Sequence, residues 1–157
     1  MKKLILFLFI ISCLQVVVGQ SVDKDNKDDL NYILNKYVKY LKSEGYNPEI
    51  DDEEVKFKRE GDTFWIDVVD EKIFKISRYL ALDEDQDCSK SLYKILNDFH
   101  FKRINERARL YDSCKTVEIS SVNHIGNAND WKYILKRSTT WLDYAVEDFW
   151  DLYDELD

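Results

Sequence analysis

Proline, glycine and histidine are scarce in this 157-residue chain, which contains one, four and two of them respectively. Few prolines and glycines argue against long irregular loops, and no repeat or low-complexity tract divides the chain. The two histidines, His100 and His124, lack the closely spaced histidine or cysteine neighbours that a metal centre requires. We therefore expect no bound metal and no cofactor.

Catalytic sequence motifs are also missing. The chain contains no nucleophile elbow, no phosphate-binding glycine loop and no zinc-protease motif. A calcium loop is the nearest match, because Asp83, Asp85 and Asp87 share the spacing of the first three EF-hand ligands. However, Cys88 stands where that loop requires glycine, and Lys94 stands where it requires a carboxylate. The sequence therefore favours an exposed acidic loop and predicts no catalytic residue.

Basic residues are fewer than acidic residues in this chain. Lysine and arginine number 23 against 31 aspartates and glutamates, which gives a net charge of −8 at pH 7. Such a surface repels phosphate backbones and anionic lipid, so nucleic acid is not an expected partner. Disorder is excluded as well, because hydrophobic residues make up 45% of the chain and aromatic residues 14%.

The start of the chain predicts export. Two lysines precede the apolar run Leu4–Ser12, and small residues close the segment at Gly19. This pattern is typical of a secretory signal peptide, so we assign residues 1–19 to the signal and residues 20–157 to a single mature domain. The apolar run is short for a bilayer, and no transmembrane anchor is expected in the mature form. We predict a periplasmic or secreted protein.

An alternative processing site is Cys13. The residues around it fit the loose pattern of a lipoprotein signal, in which the cysteine becomes the lipidated first residue. The chain after Cys13 stays apolar, whereas lipoproteins usually turn polar there, so we favour cleavage near Gly19. Cleavage there also removes two lysines, which leaves 21 basic against 31 acidic residues and changes the net charge from −8 to −10.

Two cysteines remain after that cleavage, Cys88 and Cys114. An even pair in an oxidising compartment is a disulfide candidate, and two unpaired, partly buried thiols are the alternative. Cys88 opens the second predicted helix and Cys114 follows the fourth predicted strand, so both could lie at the same end of the domain. A bridge would add about 3 kcal/mol to stability.

Hydrophobic periodicity predicts eight elements in the order α-β-β-β-α-β-β-α. The first helix stops at Gly45, the pair Gly61-Asp62 marks a hairpin, and the last helix begins at Asp130. Hairpin-length connections imply antiparallel pairing, and three amphipathic helices need an apolar sheet face to bury against. We therefore predict an α+β fold with a five-stranded antiparallel sheet and helices packed on one face.

This order of elements resembles the type III secretion chaperone-like fold, and especially the bacterial YbjN family. The resemblance runs from Tyr37 to Asp157, and it is carried by the segments Tyr40–Tyr46, Asp51–Phe57, Gly61, Phe64–Ile66, Ala108–Tyr111 and Asp130-Trp131. The chain departs from the family on the second helix, where Asn97 stands in place of paired asparagines. The resemblance implies a non-enzymatic partner-binding domain, often dimeric, of the kind labelled a sensory transduction regulator. Export would separate it from the type III secretion chaperones, which act in the cytoplasm.

Large aromatic side chains outside the predicted core mark candidate partner-binding positions. They are Trp65 on the second strand and Trp141, Tyr144 and Trp150 on the last helix, partly off its apolar stripe. Exposed aromatics beside acidic residues suit a protein-binding surface. A wide helix face could also bury them, and periodicity does not separate the two interpretations.

These observations predict a non-catalytic protein-binding domain of the cell envelope, acting as a chaperone, adaptor or regulator on another polypeptide and forming a homodimer. One alternative is a dedicated inhibitor or immunity-type protein that captures one basic partner through its acidic surface. The other is an enzyme that uses a reactive Cys88 thiol or a carboxylate pair. A Cys88–Cys114 disulfide would exclude the thiol version.

Overall fold

The computed structural model describes residues 22–70, 72–83, 87–126 and 130–155, with the backbone alone described at 22–28, 69 and 70. The predicted signal peptide, which includes Cys13, lies outside these residues. The middle of the acidic loop, including Asp85, lies outside them as well. Export and processing therefore stay predictions.

The described chain forms three helices and six strands. The helices are α1 (Val22–Ser43), α2 (Lys90–Lys102) and α3 (Trp131–Asp154). The strands are β1 (Glu49–Asp51), β2 (Glu54–Arg59), β3 (Asp62–Asp70), β4 (Ile73–Ala81), β5 (Glu106–Tyr111) and β6 (Thr116–His124). A 3-10 turn at Asp112–Cys114 joins β5 to β6.

All six strands form one antiparallel sheet in the order β1-β2-β3-β4-β6-β5. The predicted α+β class, the antiparallel sheet and the three helices are confirmed. The predicted strand number is wrong, because the sheet has six strands rather than five. The element order therefore becomes α-β-β-β-β-α-β-β-α.

The additional strand is β1, which hydrophobic periodicity does not mark. Its three residues are all exposed, so it shows no alternation of buried and exposed positions. It pairs with β2 through Ile50 and Val55, around a turn in which Asp52 has a φ of 54°. Aspartate tolerates this left-handed backbone better than most residues, which allows the tight turn. A short exposed strand of this kind forms because it pairs with its neighbour, and its own sequence pattern does not reveal it.

Two glycines take left-handed conformations that set the direction of the chain. Gly45, with a φ of 88°, follows α1, and the Tyr46 N–H donates to the Leu41 carbonyl at 3.0 Å in a Schellman motif. Gly61, with a φ of 100°, joins Glu60 in the two-residue turn between β2 and β3. Positive φ at both positions is typical of the type I′ hairpin, so the predicted hairpin lies one residue earlier than Gly61-Asp62.

The core lies between the three helices and one face of the sheet. Tyr37 of α1 packs edge-on against Phe74 of β4, with ring centroids 5.9 Å apart, and against Trp131 of α3 at 4.6 Å. Phe99 of α2 meets Phe149 of α3 at 6.3 Å. Large aromatic side chains bury much apolar area, so these contacts contribute strongly to stability. The opposite face of the sheet, called here the open face, carries polar and aromatic side chains.

Cys88 and Cys114 form a disulfide, with their Cα atoms 5.4 Å apart. It joins the segment before α2 to the turn between β5 and β6. Among the described residues, no helix contains an apolar stretch long enough to cross a bilayer.

Candidate functional site

One group of polar side chains lies on the open face of the sheet, and we call it the sheet-face cluster. It consists of Asp67, Lys75, Ser77, Tyr111 and Glu118, which come from four neighbouring strands. The Lys75 ammonium lies 2.8 Å from Glu118 and 3.2 Å from Asp67. The hydroxyls of Ser77 and Tyr111 donate to the two Glu118 oxygens, at 2.7 Å and 3.1 Å.

Glu118 is only 2% exposed, so its charge depends on these partners. Burial acts to raise the pKa of Glu118, but the hydrogen bonds from Lys75 and Ser77 outweigh it and hold the pKa below its ordinary value. Burial likewise opposes the charge on Lys75. The hydrogen bond to Glu118 and its negative charge reverse that effect and raise the pKa of Lys75. Each group therefore keeps the other ionised at neutral pH.

An aromatic row on the open face includes Tyr111 of the sheet-face cluster. Tyr79 contacts Trp65 on one side and Tyr111 on the other, both edge to face, with centroids 5.9 Å and 6.2 Å apart. The Lys56 ammonium lies over the Trp65 ring at 4.8 Å. Burial, followed by the charge of Glu118, raises the pKa of Tyr79 to about 12, so this phenol stays neutral. Because Glu118 and Lys75 are already fully paired, the cluster has the character of a structural network.

A second group of residues lines an open groove between α1 and α3, which we call the α3 groove. Its volume is about 770 Å³, and its walls are formed by Tyr40, Lys132, Tyr133, Lys136, Arg137, Thr140 and Trp141. Helical spacing explains the gathering on α3, because residues three or four positions apart share one face of a helix. The helix α1 contributes one residue, Tyr40, to the lining of the groove.

Ring contacts hold the aromatic side chains of the α3 groove in place. Tyr40 packs edge-on against the buried ring of Trp131, with centroids 4.9 Å apart. The Lys132 ammonium lies over Tyr40 at 5.2 Å, and the Arg137 guanidinium stacks on Trp141 at 3.9 Å. Cation–π contacts of this kind position a cation without neutralising its charge.

The cations Lys132, Lys136 and Arg137 have no carboxylate partner within 4 Å among the described residues. Other basic side chains do have such partners. They include Arg59 and Arg78 with Asp143, and Lys102 and Arg103 with Asp148. The positive charge of the α3 groove is therefore available to an external anion.

A depression of opposite charge lies beside the turn between β1 and β2. Its volume is about 860 Å³, and its lining consists of Leu30, Asn31, Leu34, Asp51, Asp52, Glu53, Glu54, Trp65 and Asp67. Burial and the neighbouring charge of Asp67 raise the pKa of Glu54. We call this surface the acidic depression.

The four aromatic residues predicted to bind a partner do not form one surface. Trp65 lines the acidic depression, and Trp141 lines the α3 groove. Tyr144 is 55% exposed on α3, and its carbonyl accepts a hydrogen bond from Arg103 at 2.7 Å. Trp150 is half-buried against two rings of its own helix. The contribution of these residues to partner binding stays a prediction.

The cysteines and histidines have structural contacts. Neither Cys88 nor Cys114 carries a free thiol, because both belong to the disulfide, and this removes the proposed thiol nucleophile. His100 accepts a hydrogen bond from the Ala108 N–H through Nε2 at 3.0 Å. Ala108 belongs to β5, an edge strand, so His100 satisfies a backbone group that the sheet leaves unpaired. Among the described residues, no three His, Cys, Asp or Glu side chains are arranged so that they could hold a metal ion.

Sequence analysis identified Trp141 but missed the cations beside it. The signal was present, because Lys132 and Lys136 are four residues apart, as are Tyr133 and Arg137. That spacing places the two residues of each pair on one face of a helix. Tyr40 lies on a different helix, and no sequence pattern joins it to these residues.

The described geometry defines a class of protein: an α+β domain in which three helices pack on one face of an antiparallel sheet. Among solved structures, the chain is similar to the crystal structure of YbjN from E. coli, a proposed transcription regulator. The TM-score is 0.58 and the sequence identity is 11%, over 72% of this chain and 87% of the YbjN chain. This similarity shows a YbjN-like fold, since fold alone does not transfer function. No family model and no curated protein matches the chain.

Proposed function

We propose that this protein is an exported, non-catalytic binding domain of the cell envelope whose ligand is another polypeptide. The observation that carries the proposal is the α3 groove, where aromatic side chains lie beside three cations without a carboxylate partner in the described chain. Aromatic and arginine side chains supply much of the binding energy at protein interfaces. The fold shared with YbjN, a proposed regulator, supports a role in binding.

Binding in the α3 groove requires little rearrangement. Tyr133 is 84% exposed, so contact with a partner would remove its apolar surface from water. Tyr40 and Trp141 are already held by ring and cation contacts, which limits the side-chain entropy lost on association. The acidic surface elsewhere on the domain would disfavour partners with the wrong charge distribution.

Affinity capture tests the binding role. The protein is produced with residues 1–19 and a C-terminal tag, and the proteins that it retains from a native envelope extract are identified by mass spectrometry. One stoichiometric partner would support an adaptor or regulator, and several partly unfolded partners would support a chaperone-like role. An empty column would contradict polypeptide binding, and light scattering on the same sample would test for the proposed homodimer.

Export and processing form a separate part of the proposal. The intact mass of the protein recovered from the periplasm or medium should correspond to a chain that begins at Gln20. A lipid attached to Cys13 would instead establish the lipoprotein alternative. A cytoplasmic protein that retains residues 1–19 would contradict export.

The second candidate function is the capture of one basic partner by an inhibitor or immunity-type protein. The acidic depression favours this candidate, because five carboxylate side chains lie beside Trp65 there. Reversing the charges of Asp51 and Glu53, which leaves Asp52 in its turn unchanged, should then abolish capture. If the partner instead binds the α3 groove, reversing Lys132 and Lys136 should abolish it, so the same extract distinguishes the two surfaces.

A further inference from the structure

The α3 groove is a positively charged site on a negatively charged protein. The chain has a net charge of −8, yet Lys132, Lys136 and Arg137 cluster on one helix without a carboxylate partner among the described residues. Like charges four residues apart slightly destabilise a helix. The cation–π contacts of Lys132 and Arg137 offset part of this cost but leave the positive charges unneutralised, whereas an anionic ligand would neutralise them.

The α3 groove is elongated along the helix. Lys132 and Trp141 are nine residues apart, which corresponds to about 14 Å along the helix axis. An extended polypeptide advances about 3.3 Å per residue, so about four residues could lie along this length. A smaller cavity of about 280 Å³ adjoins it. Its lining combines the shared residues Tyr40, Lys136 and Thr140 with Tyr46, Phe57 and Leu135, and with the polar side chains of Glu44, Arg59 and Thr139.

We propose that the α3 groove binds an acidic linear segment of the partner polypeptide. Carboxylates of the segment lie against the three cations, and its apolar side chains lie against the aromatic rings. This inference rests on the proposed function and deepens it by naming the chemistry of the partner.

The walls of the α3 groove favour a short polypeptide over other anions. A small inorganic anion would make no contact with the rings of Tyr133 and Trp141. A long polyanion such as nucleic acid would extend past the three cations onto the acidic remainder of the surface, where it would be repelled. A short acidic segment with apolar side chains can pair its carboxylates with the cations and pack its apolar side chains against the rings.

Fluorescence anisotropy with three labelled short peptides tests the charge requirement. The peptides alternate Phe with Glu, Gln or Lys, so they share apolar content and differ in charge. We expect the Glu peptide to bind about tenfold more tightly than the Gln peptide, and to weaken as salt rises from about 0.05 M to about 0.5 M. Equal affinity for the Glu and Gln peptides, or tighter binding of the Lys peptide, would overturn the inference.

Charge reversal locates the binding. The double variant Lys132→Glu/Lys136→Glu should bind the Glu peptide about tenfold more weakly, or worse, while circular dichroism shows that it is folded. The control Lys94→Glu reverses an exposed lysine on α2 and should bind as the wild type does. The milder variant Lys136→Gln should show an intermediate loss, which guards against misfolding of the double variant. Wild-type affinity in the double variant would contradict the proposed location.

Competition with citrate separates a peptide segment from a small anion. We expect citrate to displace the Glu peptide no better than chloride does at matched ionic strength. Specific displacement by citrate would show that the α3 groove is a small-anion site, and the inference would fail.

Affinity capture separates failure of this inference from failure of the proposed function. If the double variant retains the same envelope partner as the wild type, the protein binds polypeptides through another surface and only the inference fails. If the wild type retains nothing, the proposed function fails. Loss of the partner in the double variant, but not in Lys94→Glu, supports both.

Discussion

The sheet-face cluster and the α3 groove differ in how their charges are satisfied. In the sheet-face cluster, Lys75 lies between Asp67 and Glu118, and two hydroxyls complete the hydrogen bonds of Glu118. In the α3 groove, Lys132 and Arg137 lie over aromatic rings and have no carboxylate partner among the described residues. In the sheet-face cluster the charges are paired within the fold. In the α3 groove the positive charges can interact with another molecule. Stability and binding should therefore respond to different substitutions.

The comparison also shows why a shifted pKa is not enough to identify a functional site. Strongly perturbed ionisable groups often accompany catalytic or binding centres. In the sheet-face cluster the shifts have a simpler cause, because burial and mutual hydrogen bonding act on Lys75 and Glu118 together. The availability of a charge to an outside molecule is the more useful criterion for this protein.

Removing Lys75 should have the largest effect on stability. Lys75→Met leaves Glu118 buried without its cation, so the free energy of unfolding should fall by about 3 to 5 kcal/mol at neutral pH. Urea denaturation followed by circular dichroism measures the change. The double variant Lys75→Met/Glu118→Leu should recover much of the loss, because no unpaired buried charge remains. A loss below about 1 kcal/mol in the single variant would show that the cluster is not the structural network we describe.

Removing the disulfide should have the next largest effect. The bridge joins positions separated by 26 residues, so Cys88→Ser/Cys114→Ser should lower the free energy of unfolding by about 3 kcal/mol. Reduced wild-type protein is the matched control and should show the same loss. Binding of the Glu peptide should be unchanged under conditions in which both forms are folded, since the disulfide is not part of the α3 groove. Parallel loss of stability and binding would argue that the two regions are coupled.

The acid dependence of stability should separate two carboxylates of the open face. Glu118 has a lowered pKa, so it stabilises the fold above the ordinary pKa of glutamate, and this contribution is lost as the pH falls through the lowered value. Glu54 has a raised pKa, so its charge disfavours the fold at neutral pH and acidification relieves the penalty. Glu118→Gln should therefore lower stability at neutral pH and flatten its decline in acid, whereas Glu54→Gln should raise stability at neutral pH.

Urea titrations from about pH 3 to about pH 7 check both expectations about these carboxylates. A wild-type acid slope in Glu118→Gln would show that another carboxylate dominates the acid response. Destabilisation by Glu54→Gln at neutral pH would contradict the sign expected for that residue.

Charge reversal in the α3 groove should have the smallest effect on stability. Lys132→Glu/Lys136→Glu breaks no ion pair among the described residues and removes only the cation–π contact of Lys132 with Tyr40, so the free energy of unfolding should fall by no more than about 1 kcal/mol. The same urea titration measures this change. The binding control Lys94→Glu breaks the exposed pair of Lys94 with Asp98 and should itself lose up to about 0.5 kcal/mol. A large destabilisation together with lost peptide binding would show that the groove cations serve the fold, which would remove the contrast with the sheet-face cluster.

The fold was predictable wherever its cause is local. Gly45 and Gly61 were expected at turns, and both adopt the positive φ that favours glycine. Alternating strands and hairpin-length connections predicted the antiparallel sheet. The strand β1 was missed because its residues are all exposed and its identity depends on pairing with β2.

The candidate site was predictable only in part, for the same reason. Trp141 was identified as lying off the apolar stripe of its helix, and the spacing of Lys132 and Lys136 could have been read beside it. Trp65 and Trp150 were grouped with Trp141, but the structure places them on other surfaces. Helical periodicity shows which residues of one helix share a face. It contains no information about which other segment of the chain packs against that face.

Sequence alone was enough for the α+β class, the acidic charge balance and the position of Trp141 off the apolar stripe of α3, because each depends on composition or on residues a few positions apart. The tertiary structure decided which distant residues meet. It placed Tyr40 beside Lys132, paired Lys75 with Glu118 through the adjacency of β4 and β6, and brought Cys88 to Cys114. Such contacts follow from strand order, register and helix packing, which the whole chain settles together when it buries its core.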